Sequence, residues 1–328
     1  MLADGDILRT GQFGLTNSPS AFLSKFTFGP SVEGLFWQSN LGIVTKMSIW
    51  MTPQPSAFMA CTFSMPEFED LEVIVDTLGV MRRNGVIPSM VFVGNVVEAL
   101  CIHGRRRDYW KGDGPIPDWR VKELQKKLGL GYWAARFGLY GPKRIVQAHF
   151  DEIRDVLKEK APSGEFTGKL FAAENGELLD ARSIPFEDGN VLVGVPSLMA
   201  MPLISWPLKE DGVGKPAHGD YAPIIPSSGK RVLEWMRRIK PLFEAAGCEL
   251  MTDFFMHERH VVTMAMYTFD QHSETERKAM HELFMALHME AKKEGYGMYR
   301  GHVQHMGRAH ALDIWPLLTE CRFDCWFE

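Results

Sequence analysis

The strongest constraint on the fold is an order of strand and helix signals that occurs twice, on either side of a stretch rich in Gly, Pro and charge. In the first run, Ala57 to Ser64 reads as a strand, Pro66 to Arg83 as a helix and Ile87 to Val93 as a second strand. Leu71, Ile74, Leu78 and Met81 recur at helical spacing, and Pro66 suits a first turn, where a missing N–H costs nothing. Trp119 to Leu128 reads as helix, Tyr132 to Tyr140 as extended chain, and Pro142 to Lys160 as a helix with Ile145, Phe150, Ile153 and Leu157 on one side. Residues 162–215 look irregular. The second run comprises a helix over Gly229 to Ala246, strands over Glu249 to Met256 and His260 to Phe269, and a long helix over Ser273 to Glu294. Met280, Leu283, Phe284, Leu287 and Ala291 form that helix's apolar stripe, and Tyr296 to Gln304 reads as a last strand. Two strand–helix–strand halves packed on one sheet predict an α+β domain, an antiparallel sheet with helices on its faces.

Ahead of the first run, Leu2 to Gly11 reads as a hairpin around Asp4-Gly5. Gly42 to Trp50 alternates like a strand, and Met51-Thr52-Pro53-Gln54-Pro55 is the best boundary. The expected organisation is a module over 1–54, a main domain over 55–296 and a further segment over 297–328. A hairpin at residue two points to an upstream sheet, and the aperiodic tail from Gly307 resembles a truncated ending, so an internal fragment of a longer protein is expected.

Composition narrows the class. With 45% hydrophobic and 23% charged residues in a chain of 328, a packed core is available and a disordered or low-complexity protein is excluded. The net charge of −5 with no basic tail makes nucleic acid and anionic membranes unexpected partners. No apolar run approaches the roughly 18–20 residues that span a bilayer. Five cysteines, odd in number and set in apolar stretches, read as reduced thiols, so the cytoplasm is the expected location.

Short motifs mostly yield to plain readings. Gly129-x-Gly131-x-x-Ala134 follows a helix rather than a strand, so Gly129 reads as a helix C-cap and not a dinucleotide fingerprint. Arg105-Arg106-Arg107 reads as a solvated loop, and Ser228-Gly229-Lys230 as a helix start. His257-x-x-His260 and His302-x-x-His305 could supply four metal ligands, but residues i and i+3 of one strand point to opposite faces, so no metal is expected. Cys321 and Cys325 form a lone pair without the second pair a zinc site needs.

Several stretches in order resemble the vanillyl-alcohol oxidase / p-cresol methylhydroxylase / eugenol oxidase group of flavoproteins. They are Leu2-Ala3-Asp4-Gly5 through Arg9-Thr10-Gly11, Phe28-Gly29-Pro30, and the long run Gly34-Leu35-Phe36-Trp37-Gln38-Ser39-Asn40-Leu41-Gly42-Ile43-Val44-Thr45-Lys46. Leu128-Gly129-Leu130-Gly131-Tyr132-Trp133, Leu139-Tyr140-Gly141-Pro142 and Gly297-Met298-Tyr299-Arg300-Gly301-His302 follow. The resemblance implies that 1–54 ends an incomplete FAD-binding domain, that 55–296 is a ferredoxin-like cap domain over the flavin ring, and that 297–328 begins the return. It implies FAD as cofactor, lined by Gly42, Ile43, Val44 and Thr45 and attached covalently through His260. Tyr299 and Arg300 match a phenolate-binding pair, and His302 a nearby active-site histidine. The implied reaction is hydride transfer from the benzylic carbon of a 4-alkylphenol to flavin N5 through a quinone methide, with oxygen or a cytochrome as electron acceptor, in a homo-oligomer. The chemistry suits the residue types, because a permanently charged arginine beside a tyrosine hydroxyl stabilises a phenolate and lowers its pKa. Two rivals stand beside it: a non-catalytic cap-domain remnant without flavin, and another FAD-linked oxidase such as a 2-hydroxy-acid dehydrogenase.

Overall fold

The computed structural model describes residues 1–15, 17–24, 31–37, 39–198, 200–208 and 213–300. The chain divides into two compact units, Met1–Gln54 and Pro55–Glu328. In the first, the expected hairpin and strand are absent. Met1 and Ile43 instead exchange a pair of hydrogen bonds, with the Met1 terminal amine donating to Ile43 O at 2.8 Å and Ile43 N donating to Met1 O at 2.9 Å. Two single 3₁₀ turns, Gly11–Gly14 and Glu33–Phe36, complete the regular structure among the described residues there.

The second unit is built on a single antiparallel sheet. Its elements in chain order are β1 (Ala57–Met65), α1 (Leu71–Arg83), β2 (Val91–Asn95), α2 (Val96–His103), α3 (Arg106–Tyr109), α4 (Asp118–Leu128), β3 (Trp133–Gly141), α5 (Lys143–Lys160) and β4 (Glu165–Ala172). β5 (Pro216–Tyr221), β6 (Ile224–Pro226), α6 (Gly229–Ala245), β7 (Met251–Met256), β8 (His260–Asp270) and α7 (Glu274–Glu294) follow. The strand order is β4-β1-β3-β2-β7-β8-β5, with β6 also paired to β8.

This order is one motif used twice. β1-α1-β2-β3-α5-β4 forms a sheet in the order 4-1-3-2, the ferredoxin-like arrangement. In the second half, β5/β6, α6, β7, β8 and α7 repeat it. The fourth strand position is taken by the chain around Met298, which bridges Pro223. The halves meet where β2 pairs β7, Gly94 opposite Asp253 and Phe92 opposite Phe255, so a pseudo-twofold axis passes through the middle of the sheet. The expected last strand is reduced to that single bridge, and residues 301–304 lie outside those described.

Alternation along the strands sorts side chains into two faces. One face, carrying Met59, Cys61, Phe63, Val93, Trp133, Phe137, Phe254, Val261, Ala265 and Tyr221, is covered by α1, α5, α6 and α7 and forms the main core. The other face is covered only at its ends. At one end Phe58 packs with Leu179 and Ile184, and at the other Met251 and Met266 pack with Val96, Leu100, Leu203 and Trp206. Glu249 fastens the latter cover, accepting from Arg106 Nε at 2.8 Å, Ile116 N at 3.0 Å and Trp206 Nε1 at 3.1 Å. Between the covers a strip of the sheet is left open by the described residues.

Candidate functional site

The open strip holds most of the polar chemistry of the second unit. It is lined by Arg136 on β3, Phe92 and Gly94 on β2, Asp253 and Phe255 on β7 and Met264 on β8, each partly exposed except Gly94. Phe92 and Phe255 meet edge to face with ring centroids 4.9 Å apart. His218 and Asp220 reach the same side from β5, because Tyr221 turns inward against Trp235 and Phe284.

Local sequence explains how a carboxylate comes to lie over the strip. Asn95 ends β2 and caps α2, accepting from Glu98 N at 3.1 Å while its amide donates to Leu250 O at 2.7 Å. That tight turn folds Glu98 back over Gly94, where any β-carbon would collide with its carboxylate. Arg136 Nη2 donates to Glu98 Oε1 at 3.2 Å. Burial pushes the Glu98 carboxyl up from its usual range, opposed by the Arg136 charge. Its neighbour Asp253 keeps Oδ1 buried with no hydrogen-bond partner among the described residues. Burial, the Glu98 charge and the Asp220 charge raise Asp253 to about 7, against the pull of Arg136. These residues carry no motif, and only their register on adjacent strands could have singled them out.

The residues expected from sequence fall in three places. Tyr299 extends from the bridged segment, its N–H donating to Ala222 O at 2.7 Å. Met298 packs into the main core, so alternation turns Tyr299 to the open side, where it is 53% exposed. The Arg300 guanidinium stands over the Tyr299 ring, 5.4 Å from its centroid. His260 opens β8 on the same face, in register with Pro226 of β6. His302 lies outside the described residues, as do His305, Cys321, Cys325 and the stretch Phe28-Gly29-Pro30. Gly42, Ile43, Val44 and Thr45 belong to the first unit. A β-carbon at Gly42 would stand 2.8 Å from Met1 O, and Ile43 and Val44 are exposed.

The histidine pair corrects one expectation. His257 and His260 do not share a strand; they flank the β7–β8 turn, with His257 N donating to His260 O at 2.9 Å. Their rings therefore stack, 4.5 Å apart and 20° from parallel, instead of pointing to opposite faces. Burial and the neighbouring His260 lower the His257 pKa. No group of three or more His, Cys, Asp or Glu side chains that could hold a metal occurs among the described residues.

No protein-family model matches the chain. Solved structures do: the chain superposes on p-cresol methylhydroxylase with substrate bound at a TM-score of 0.81 and 27% identity, covering 94% of this chain and 57% of that one. The 4-ethylphenol oxidase of Gulosibacter chungangensis, in its isoeugenol complex, shares the fold at a TM-score of 0.83 and 24% identity, covering 97% of this chain and 60% of that one. The fold is thus similar to that of FAD-linked oxidases, cap domain included. In sequence, the chain is 28% identical over 309 residues to the flavoprotein subunit of 4-cresol dehydrogenase (hydroxylating) from Pseudomonas putida, 94% of this chain and 57% of the relative. It is also 28% identical over 156 residues to 1'-carboxy-chondrochloren decarboxylase from Chondromyces crocatus, 47% of this chain and 27% of that one. The chain is thus similar to members of the vanillyl-alcohol oxidase / p-cresol methylhydroxylase group, and it spans just over half the length of the 4-cresol dehydrogenase subunit.

Proposed function

We propose that the chain serves a flavin-dependent oxidation of 4-alkylphenols, with the open strip of the sheet facing substrate and the ring end of FAD. The observation that carries this reading is the placement of Tyr299–Arg300 on the same open face as the orphaned Asp253 Oδ1, in a chain similar over 94% of its length to a 4-cresol dehydrogenase subunit. The face suits a planar ligand. It offers the flat edges of Phe92 and Phe255, a glycine without a β-carbon, and a buried oxygen awaiting a partner.

In this reading Tyr299 and Arg300 bind the phenol oxygen and favour its ionised form, because the guanidinium keeps its charge at every working pH. Ionisation raises electron density at the benzylic carbon, so a hydride can leave from there and a quinone methide results. FAD supplies the hydride acceptor at N5. By the resemblance, Gly42, Ile43, Val44 and Thr45 would bind FAD and His260 would be its attachment point if the flavin is covalent, while His302, outside the described residues, would serve as an active-site histidine. Oxygen or a cytochrome takes the electrons onward, and the working form is a homo-oligomer in the cytoplasm.

The test is the visible spectrum of the purified chain supplied with FAD, before and after acid precipitation and after anaerobic addition of p-cresol. Flavin bands that bleach with the phenol support the reading. Flavin retained in the acid pellet and mapped to the His260 peptide supports attachment there, whereas mapping to the exposed His218 on the same face rejects it. A colourless protein that takes up no FAD favours the non-catalytic reading.

A further inference from the structure

The dipeptide Asn-Gly occurs twice, at Asn84-Gly85 and Asn175-Gly176, and both copies are exposed. Such a pair can close on itself, because glycine has no β-carbon to shield its backbone nitrogen. The glycine nitrogen attacks the asparagine Cγ, the N–Cγ bond forms, and the Cγ–Nδ2 bond breaks. Ammonia leaves with the proton that the nitrogen gives up, and a succinimide ring remains. Water opens the ring at either carbonyl, yielding aspartate or, where the main chain now runs through the side chain, isoaspartate. Water is the sole co-reactant, so the rate depends on how freely the fold lets nitrogen and carbon meet.

The two copies are held differently. Asn84 caps the C-terminal end of α1, its N–H donating to Val80 O at 3.0 Å. Its Oδ1 accepts from Val86 N at 3.2 Å, and Gly85 N donates to Arg82 O at 3.4 Å, so both reacting groups are engaged. Asn175 and Gly176 instead form the centre of a tight turn after β4, with φ of +51° and +77°, the positive pair that a type I′ turn requires. One bond closes that turn, Glu177 N donating to Glu174 O at 3.0 Å. Neither the Asn175 side chain nor Gly176 N has a hydrogen-bond partner among the described residues, and a β-carbon on Gly176 would meet nothing within 4 Å. The chain is anchored on either side, Ala173 N donating to Ser56 O and Leu179 N to Pro55 O, both at 2.9 Å. The turn can therefore open locally while β4 and the cover that includes Leu179 stay in place.

We infer that Asn175 is a site of spontaneous modification, converting through a succinimide to isoaspartate in the folded protein, while its hydrogen bonds protect Asn84. The inference is independent of flavin and phenol. The product places a carboxylate where a neutral amide stood, between Glu174 and Glu177, and adds one negative charge to a net charge of −5. The modification thus changes the charge at the outer end of the chain leading into the cover over Phe58.

The test follows the full chain during incubation at neutral pH and physiological temperature. Samples are digested, and the peptides holding Asn84 and Asn175 are read by mass spectrometry for exchange of amide for acid. Isoaspartate is identified by methyl transfer from labelled S-adenosylmethionine with an isoaspartyl carboxyl methyltransferase. Asn175 should convert about tenfold faster than Asn84, because ring closure at Asn84 gives up hydrogen bonds that Asn175 does not make. In urea concentrated enough to unfold the chain the gap should close, since the two dipeptides are chemically alike. Conversion of Asn84 as fast as Asn175 in the folded chain overturns the inference. So does the absence of isoaspartate from the Asn175 peptide, or a gap that persists in urea and so belongs to the local sequence and not to the fold.

Discussion

At the scale of single residues, the open strip depends on what is missing as much as on what is present. Gly94 lacks the β-carbon that would displace the Glu98 carboxylate. Gly94→Ala should therefore cost about 1–3 kcal/mol in a denaturant titration and loosen the Glu98–Arg136 pair. Asp253 makes a signed prediction. Its folded-state pKa of about 7 lies above the ordinary value of 3.8, so between those values the native state holds a proton that the unfolded chain has released. Stability should fall as pH rises through that window and stop falling above it, and Asp253→Asn should flatten the fall. A parallel curve for the variant would count against a raised Asp253. Arg300 is tested differently: with FAD-dependent turnover in hand, Arg300→Ala should lower kcat on p-cresol on the order of a hundredfold, and unchanged turnover would remove it from the phenolate site.

Elements were legible in proportion to their period. α1, α5, α6 and α7 lie within two or three residues of the sequence reading except at α1, where a 3₁₀ turn at Phe68–Asp70 takes up the start. Each buries one stripe against the sheet, which is the pattern helical spacing encodes. Gly129 caps α4 with φ of +67°, as its place after a helix suggested. Gly129→Ala should lose about 1 kcal/mol in thermal or denaturant unfolding, since only glycine takes that backbone freely. β4, β5 and β6 were hidden in or beside a stretch read as irregular. β4 and β5 are the sheet's edge strands, and β4 is exposed at Glu165, Thr167, Gly168 and Lys169, with no residue fully buried. An edge strand answers to its neighbour's register more than to its own hydrophobicity, so its sequence signal is faint. α2 was missed for a different reason: its eight residues, Val96–His103, are apolar on nearly every side because they lie between the sheet and the cover around Trp206.

On the scale of the whole molecule, the boundary at Gln54–Pro55 coincides with the Pro-punctuated stretch Met51–Pro55. Trp50 and Met51 are 75% and 82% exposed, so chymotrypsin under native conditions should cut there first. The C-terminal product should unfold cooperatively on its own, because the sheet and its four covering helices all lie beyond residue 55. An initial cut between β1 and β4 would contradict that unit. The duplicated ferredoxin-like order explains why the second unit is one sheet rather than two domains. Each half leaves its β2-type strand unpaired, and joining β2 to β7 satisfies both edges at once.

The sequence alone determined the helices other than α2 and α3, the class of fold and the resemblance that points to a phenol and a flavin, because periodicity and contiguous motifs are local properties. Tertiary structure decided the rest. That His257 and His260 stack across a turn follows from where β7 ends. That Asp253, Glu98 and Arg136, spread over 156 positions, share one open strip follows from strand order and register. Neither the protonation of a buried carboxylate nor the face it serves is written in its neighbours along the chain; both depend on charges and surfaces that only the folded sheet brings near.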